Sequence, residues 1–378
     1  MRILLIARGY PTENDPQWGC FELDQAKALR KLGHDVAIMA VDRRWLFKCR
    51  KPGISKKIID GLPIFHSFFT PHVFIPQFNY RLREYYMRIT FKSVIKTWGK
   101  PDVIYSHFLN NTSAILPVAQ DYKIPVVALE HWSKLMKHPI AKEVLYTGKK
   151  TYGKNGLKLL SVSENLRRAL LDNFNSDSKV VPNMIGEEFL INPDTEKYKK
   201  FTFVAIGSLI HRKGFDLLIE AAAKLKKAGI DDWNIIIIGG GNEKENILNL
   251  ISKYNLNSHI KLVGSKNKDE IREYLSKSHA FVLPSRSETF GVVYIEAMAM
   301  GLPVIATDCG IPEDLINNSN GLVCPVEDIE AISKSMLYIM NNIEKFDSSH
   351  IRDYCLGKYS PQIVAKQIET ELIKAINE

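Results

Sequence analysis

Short apolar runs alternate with amphipathic stretches along the whole chain, and this pattern restricts the possible folds more than any other feature. A first series of predicted strands comprises residues 3–7, 36–41, 103–107, 125–129 and 157–162. A second series comprises residues 201–206, 234–238, 260–263, 280–283 and 304–306. Apolar runs that are each followed by a helix are typical of parallel strands covered on both faces. The sequence therefore predicts an α/β protein with two doubly wound, Rossmann-like sheets.

The predicted helices lie between these strands, at residues 22–32, 164–173, 214–228, 269–277 and 292–300. The segment 181–198 separates the two series, because it contains prolines and a glycine and has no clear period. It predicts domains of residues 1–186 and 187–358, with a helix at about 359–378 that packs back on the first domain. Ligands of open α/β sheets bind beyond the carboxyl ends of the strands, so the expected site is a central cleft that both domains face.

Positive charge is concentrated between residues 43 and 100, in a chain whose net charge is +9. Only Asp60 and Glu84 oppose a long series of cations that alternates with aromatic residues and begins with Arg43, Arg44, Lys48, Arg50 and Lys51. Because lysine, arginine and aromatic side chains favour an anionic membrane surface, we expect reversible attachment to the inner face of the cytoplasmic membrane. The alternative is a solvated basic surface whose aromatic residues belong to the core.

Several classes of protein are not expected from this sequence. No apolar run approaches the roughly 20 residues of a membrane-spanning helix, and residues 3–7 are too few for a signal peptide, so a cytoplasmic protein is expected. The five cysteines lack C-x-x-C spacing and are expected to be reduced. No D-x-D follows a predicted strand, so neither a metal nor another cofactor is expected. Nucleic acid is not an expected partner, because its recognition motifs are absent.

The densest signal is the stretch PSRSETFGVVYIEAMAMGLPVIA at residues 284–306. A predicted strand is followed by a turn containing Gly291 and then by a predicted helix. The backbone amides of Phe290 and Gly291 would lie at the start of that helix, where free N–H groups and the helix dipole favour phosphate oxygens. Glu288 lies in the turn and Glu296 in the helix, so one carboxylate could bind a ribose diol and the other a sugar ring. The alternative is that Glu288 is only an acidic residue at the start of a helix and that Glu296 lies on a solvated face.

A second signal is GSLIHRKG at residues 207–214, between a predicted strand and a predicted helix. Its terminal glycines permit a tight turn, although the order of a P-loop is absent. Arg212 and Lys213 supply cations, and Lys213 could neutralise charge that develops on a departing diphosphate. The alternative is a solvated basic turn. The glycines at 239–241 would permit close approach of a ligand at a neighbouring strand end.

Three residues of the first half fall at predicted strand ends that would face the cleft. Gly19 lies in the loop after the first strand, His107 ends the strand at 103–107, and His131 follows the strand at 125–129. Two histidines at equivalent strand ends are candidates for a functional site, although a lone histidine is more often structural. We expect His131 in the catalytic site and His107 on the acceptor side.

The segment from Ser285 to Val304, with its pattern ExFG…EAMAxGxPV, resembles the signature of a large family of retaining glycosyltransferases with the GT-B fold. That family, of the glycosyltransferase family four type, contains bacterial mannosyl-, glucosyl- and N-acetylglucosaminyltransferases. Weaker similarities occur in the family's order over the whole chain, at residues 2–4, 19, 33–36, 102–107, 162–164, 182–186 and 207–214. The resemblance implies transfer of a sugar from a nucleoside-diphosphate sugar to an acceptor, without a metal and with retention of anomeric configuration.

The resemblance also implies roles for individual residues. Glu296 matches the glutamate that binds the nucleotide ribose, and Glu288 matches the one that contacts the hydroxyls of the donor sugar. The amides of Phe290 and Gly291 match those that touch the diphosphate, and Lys213 matches the diphosphate lysine.

In the first half, His131 matches the histidine at the donor sugar, and Gly19 matches the flexible loop near the phosphates. Many members have arginine where this chain has Ser208. Either Arg212 compensates as a donor-binding residue or the diphosphate is held with one cation fewer.

The sequence therefore predicts a glycosyltransferase. Its acceptor is expected to be a glycan or a lipid-linked precursor of a cell-surface polysaccharide. The alternatives are a nucleotide-sugar 2-epimerase of the same architecture and a non-catalytic basic binding module.

Overall fold

The computed structural model describes residues 1–12, 18–42, 53–68, 76–137, 139–154, 156–191, 195–312 and 315–378. The chain divides into two compact units. Unit 1 comprises Met1–Met184 with Pro361–Glu378, and unit 2 comprises Ile185–Ser360. The boundary lies two residues before the one that the sequence predicts.

The strands, in chain order, are β1 Arg2–Ala7, β2 Asp35–Asp42, β3 Gly53–Ile59, β4 Leu62–Phe68, β5 Val103–His107, β6 Val126–Glu130, β7 Leu157–Ser161, β8 Lys179–Val180, β9 Phe201–Ile206, β10 Trp233–Ile238, β11 Ile260–Leu262, β12 Ala280–Leu283, β13 Val304–Thr307 and β14 Gly321–Cys324. The helices, in chain order, are α1 Cys20–Lys31, α2 Pro76–Thr97, α3 Leu109–Asp121, α4 Lys142–Thr151, α5 Glu164–Phe174, α6 Phe215–Lys227, α7 Lys244–Lys253, α8 Lys268–Lys277, α9 Val292–Ala299, α10 Ile329–Asn341, α11 Ser348–Tyr359 and α12 Pro361–Asn377.

Unit 1 is built on an eight-stranded sheet of order β3-β4-β2-β1-β5-β6-β7-β8. Its pairings are parallel except that of β3 with β4. Leu4 and Ile6 of β1 join a buried cluster with residues of α2 and α3. Since side chains alternate along a strand, Ile3 and Leu5 point to the opposite face, on which α1 packs. Burial on both faces explains why β1 is apolar from residue 3 to residue 7.

The C-terminal helix α12 belongs to unit 1. It packs against α1, β5 and β6. The Glu369 carboxylate of α12 forms a hydrogen bond of 2.7 Å with the imidazole ring of His34, which lies next to the start of β2. The end of the chain therefore completes the cover of the first sheet.

Unit 2 is built on a six-stranded parallel sheet of order β11-β10-β9-β12-β13-β14. Phe203, Trp233 and Phe281 are fully buried on its strands. The start of α8 is fixed by a capping box between Asn267 and Glu270. Both units thus have the doubly wound architecture that the alternating pattern predicts.

The basic region between residues 43 and 100 is described only in part. Residues 43–52 and 69–75 lie outside the described residues, and with them Arg43, Arg44, Lys48, Arg50 and Lys51. Among its described aromatic residues, Phe68 is buried, Tyr86 and Trp98 pack against the core, and Tyr85 is exposed. Most of these aromatic rings therefore serve the core of unit 1.

The described part of the chain also bears on the predictions for the cysteines and for membrane-spanning helices. Cys20, Cys309, Cys324 and Cys355 are buried and form no disulfide, and Cys49 lies outside the described residues. None of the described helices combines the length and apolarity needed to cross a bilayer.

Candidate functional site

The strand order reverses next to the first strand of each sheet. In unit 1, β1 lies between β2 and β5, and in unit 2, β9 lies between β10 and β12. At such a switch point the loops leave neighbouring strands in opposite directions and open a crevice for a ligand. The polar residues that the sequence singles out follow these strands in both units.

In unit 2, the turns after β9 and β12 lie side by side. The Arg286 amide donates to the Arg212 carbonyl at 2.8 Å. Gly214 has a φ of +67°, and a Cβ atom there would lie 2.0 Å from the Pro284 carbonyl oxygen. Glycine is therefore required at position 214, because any side chain would push the two turns apart.

A compact charge cluster joins these two turns. Lys213 Nζ lies 2.5 Å from Glu288 Oε1, which also accepts the Ser285 hydroxyl at 2.9 Å. Arg212 Nη1 lies 3.7 Å from Glu288 Oε2 and donates to the Ser287 carbonyl at 2.9 Å. The structure thus brings Glu288 to two adjacent cations, the nearer of which lies 75 positions earlier in the sequence. Two cations and one buried carboxylate offer groups for an anion and for sugar hydroxyls.

Arg286 is a member of this site that the sequence reasoning missed. Its guanidinium forms two hydrogen bonds with Asp216, at 2.7 and 2.6 Å, and pairs with Glu327 at 2.5 Å. It also donates to the His211 carbonyl at 2.8 Å. These contacts raise its pKa further above the ordinary range, chiefly through the Asp216 hydrogen bonds. Arg286 therefore fixes the basic turn that carries Arg212 and Lys213.

Helix α9 follows the glutamate turn. Gly291 is its N-cap, with a φ of +85°, and the Phe290 ring is buried against Tyr359. The buried ring anchors the turn, while the backbone amides of 290 and 291 lie at the start of the helix, as predicted. Glu296 lies on the same helix and is only 8% exposed. This burial argues against the alternative of a solvated glutamate.

The structure also describes the surroundings of Ser208 and of the glycines at 239–241. Ser208 is exposed and its carbonyl accepts the Ile210 amide, while the Arg212 guanidinium lies at the glutamate turn. Gly239 and Gly241 closely approach the carbonyls of Gly207 and Leu209, respectively. These two glycines, which could also permit close approach of a ligand, here permit close approach of the turn after β9.

In unit 1, the loop after β1 packs tightly on the strand end. Gly19 has a φ of +76°, and a Cβ atom there would lie 2.3 Å from the Gly9 carbonyl oxygen. The Trp18 indole donates to the Arg8 carbonyl at 3.2 Å. Gly19 is thus explained by local packing as the N-cap of α1, and the residues between 13 and 17 lie outside the described part.

The two predicted histidines contact each other at neighbouring strand ends. His107 Nδ1 lies 3.0 Å from His131 Nε2, and the rings are stacked. Burial lowers the pKa of His107 to about 4 and lowers the pKa of His131 well below its ordinary value, so both are neutral at pH 7. His131 is half-buried, whereas His107 has no exposed surface. In this structure His107 therefore has no surface that could contact an acceptor.

Glu130, directly before His131, is a buried carboxyl group. Neither of its oxygens has a well-formed hydrogen bond within the described part of the chain. The Tyr152 hydroxyl and the amides of His131 and Trp132 are its polar neighbours. Burial outweighs their effect and raises the pKa of Glu130 to about 8. Glu130 is therefore predominantly protonated at pH 7.

Arg8 and Glu22 form a third polar feature at this edge, which the sequence reasoning did not identify. Arg8 Nε donates to Glu22 Oε1 at 2.9 Å, and the Glu22 side chain is almost completely buried. Burial alone would raise the pKa of Glu22, but the Arg8 charge and hydrogen bond lower it to about 2. The Glu22 carboxyl is therefore ionised across the neutral range.

The described residues contain no group of three histidine, cysteine, aspartate or glutamate side chains placed to hold a metal ion. Unit 2 brings together Arg212, Lys213 and Glu288, with Phe290, Gly291 and Glu296 in the adjoining turn and helix. Unit 1 brings together His107 and His131 at the ends of β5 and β6. Gly19 packs against the residues that follow the adjacent strand β1.

Two families match the chain, one in each half. Residues 187–349 match the family described as Glycosyl transferases group 1, and residues 23–189 match Glycosyltransferase Family 4. An uncharacterised glycosyltransferase of Methanocaldococcus jannaschii is 31% identical over 257 residues, which are 67% of this chain and 69% of that protein. A putative teichuronic acid biosynthesis glycosyltransferase of Bacillus subtilis is 27% identical, over 89% of this chain and 88% of that protein.

Solved structures show the same overall fold at low sequence identity. The sucrose-phosphate synthase of Thermosynechococcus elongatus has a TM-score of 0.79 and 19% identity, with 100% of this chain and 99% of that chain covered. HepE of Anabaena, solved in complex with UDP, has a TM-score of 0.72 and 15% identity, with 99% of each chain covered. At such identities the likeness shows a common fold.

Proposed function

The protein is a glycosyltransferase of the family four type with the GT-B fold, and from this premise we propose that it transfers a sugar from a nucleoside-diphosphate sugar to a glycan or lipid-linked acceptor. The donor would bind at the turns after β9 and β12. The single observation that carries this proposal is the cluster of Arg212, Lys213 and Glu288 beside the start of α9. The UDP complex of HepE supports a nucleoside diphosphate as the ligand class.

Each group of the cluster has a role in this proposal. Lys213 and Arg212 would move from Glu288 to the diphosphate, which leaves the Glu288 carboxylate to accept hydroxyls of the donor sugar. Glu296 would accept the two hydroxyls of the ribose, and the amides of residues 290 and 291 would donate to phosphate oxygens. Arg212 would supply the cation that Ser208 does not.

The reaction breaks the bond between the sugar's anomeric carbon and the diphosphate oxygen, and forms a bond from that carbon to the oxygen of an acceptor hydroxyl. The proton of that hydroxyl would pass to the departing diphosphate. Negative charge grows on the leaving diphosphate, and Lys213 would neutralise it without a metal ion. The neutral His131 would contact the donor sugar, as the family resemblance implies. We propose retention of configuration, as the family resemblance implies.

The acceptor class is proposed from a relative. The Bacillus subtilis protein is named for teichuronic acid biosynthesis, so we propose that this chain also builds a cell-surface polysaccharide. We further propose a cytoplasmic enzyme that attaches reversibly to an anionic membrane. The edge strand β3 supports this attachment, because Lys56 and Lys57 are exposed beside Ile54 and Ile58, which are 44% and 71% exposed.

Two measurements test these proposals. A panel of nucleoside-diphosphate sugars should contain a donor that raises the melting temperature of the protein, since a ligand bound only by the native state stabilises it. No stabilisation by any donor would contradict the donor proposal. Sedimentation with anionic liposomes should decrease when Lys56 and Lys57 are replaced by glutamine, and equal sedimentation with neutral vesicles would contradict the membrane proposal.

A further inference from the structure

The guanidinium of Arg8 is held rigidly at the carboxyl end of β1. Glu22 accepts from Arg8 Nε at 2.9 Å, from Nη2 at 3.4 Å and from the backbone amide at 3.3 Å. The guanidinium carbon lies 4.1 Å from the centre of the Phe108 ring and 5.2 Å from that of Trp18. A side chain fixed by a buried carboxylate and two aromatic rings loses little further entropy when it binds a ligand.

One edge of this guanidinium is still available. The hydrogen bonds that Arg8 donates to described residues come from its backbone amide, Nε and Nη2, so Nη1 donates to none of them. The Arg8 side chain is 29% exposed, while that of Glu22 is 1% exposed. The buried carboxylate therefore orients the cation from behind, and the free N–H groups remain accessible to an oxyanion.

Phe108 connects Arg8 to the proposed catalytic histidine. Its ring centre lies 5.0 Å from that of His131, in addition to its contact with the Arg8 guanidinium. Its backbone has a φ of +67° and a ψ of 141°, a conformation that is unfavourable for a residue with a side chain. Such strain is typical of functional sites, and here it places one ring against both Arg8 and His131.

We infer that Arg8 forms an anion subsite for the acceptor, which would carry a carboxylate or a phosphate group close to the hydroxyl that receives the sugar. The inference rests on the proposed function and adds a substrate class to it, namely an acidic acceptor. Arg8 Nη1 would donate to the acidic group, and Phe108 and Glu22 would act as positioning residues for the guanidinium.

The test needs a variant that removes the guanidinium without leaving the buried Glu22 charge unpaired, because an unpaired buried charge strongly destabilises the folded state. The paired substitution R8Q/E22Q meets this condition. The matched control is R2Q/D35N at the opposite end of β1, where Arg2 contacts Asp35 at 3.1 Å and lies 5.4 Å from the centre of the Trp98 ring.

Glucose 6-phosphate, glucuronate and glucose are the probes, since they differ only at carbon 6. Ligand-observed NMR titrations should show that the unsubstituted protein binds both acids at least about ten-fold more tightly than glucose, because a hydrogen bond to a charged group favours them. R8Q/E22Q should lose most of this preference, and R2Q/D35N should retain it. Equal binding of acids and glucose by the unsubstituted protein, or an unchanged preference in R8Q/E22Q, would overturn the inference.

The same variants separate the acceptor from the donor. Titration with the nucleoside diphosphate that stabilises the protein best should give equal affinity in R8Q/E22Q and R2Q/D35N. A selective loss of diphosphate affinity in R8Q/E22Q would mean that Arg8 serves the donor, and it would overturn the acceptor assignment. Failure of every nucleoside diphosphate to bind would instead refute the proposed function.

Discussion

Replacing Glu130 by glutamine should stabilise the protein increasingly as the pH rises from 5 to 8. In the folded protein, burial raises the pKa of Glu130 from its ordinary value of 4.5 to about 8. Between these two values the folded state keeps a proton that the unfolded chain releases. The stability contributed by this carboxyl is therefore fully present below pH 4.5 and is lost as the pH rises to about 8.

The magnitude follows from the width of this pH interval. One pKa unit corresponds to about 1.4 kcal/mol, so the free energy of unfolding should fall by about that amount per pH unit. Over the whole interval the loss reaches roughly 4–5 kcal/mol, which is a large fraction of the stability of a typical domain. Glutamine has a similar shape and does not titrate, so Glu130→Gln should remove the loss.

Urea unfolding followed by tryptophan fluorescence tests this prediction. Four of the five tryptophans precede residue 185, so the signal reports chiefly on unit 1. The difference in unfolding free energy between Glu130→Gln and the unsubstituted protein should grow steadily from pH 5 to pH 8. Glu143→Gln, at an exposed position of α4, is the control and should show no such growth. A constant difference for Glu130→Gln would refute the account of its burial.

Three further substitutions test the site directly. Lys213→Ala should lower turnover by about 100-fold with a smaller effect on donor affinity, because charge on the diphosphate grows toward the transition state; an intact turnover number with weaker donor binding would contradict this. His131→Ala should reduce transfer but leave nucleoside diphosphate affinity nearly unchanged, and equal weakening of the diphosphate and the full donor in parallel titrations would contradict a contact with the sugar. Gly214→Ala should lower the melting temperature more than Gly229→Ala, because both positions have positive φ but only Gly214 abuts a backbone carbonyl; equal melting temperatures would show that the turns can separate freely.

The sequence predicts best those parts of the fold that depend on local pattern. Strands β5, β9 and β12 have the predicted ends, because each is an apolar run bounded by polar or turn residues. Strand β3 was missed, since all its residues but one are exposed and no alternation of apolar and polar side chains marks it. Strand β14 was missed because it is short and half exposed.

The candidate site was likewise predictable where it depends on local pattern and not where it depends on contacts between distant residues. Lys213 and Glu288 could be identified from sequence because each lies in a turn after a predicted strand. The partners of Arg286 could not, because Asp216 lies 70 residues earlier and Glu327 lies 41 residues later, and no spacing rule links them. The burial of His107 depends on packing around a strand end, so the strand pattern alone could not distinguish it from His131.

The central claim is that unit 2 holds a nucleoside-diphosphate sugar and that its diphosphate departs during the reaction. Slow release of nucleoside diphosphate from the best-bound donor, measured without acceptor, tests this claim most directly. The unsubstituted protein should release the diphosphate, and Glu296→Ala should weaken donor binding by about 1–3 kcal/mol because a ribose diol loses its charged acceptor. Interconversion of the sugar without release would indicate an epimerase, and a donor that is bound but neither cleaved nor converted would indicate a binding module; either result would contradict the claim.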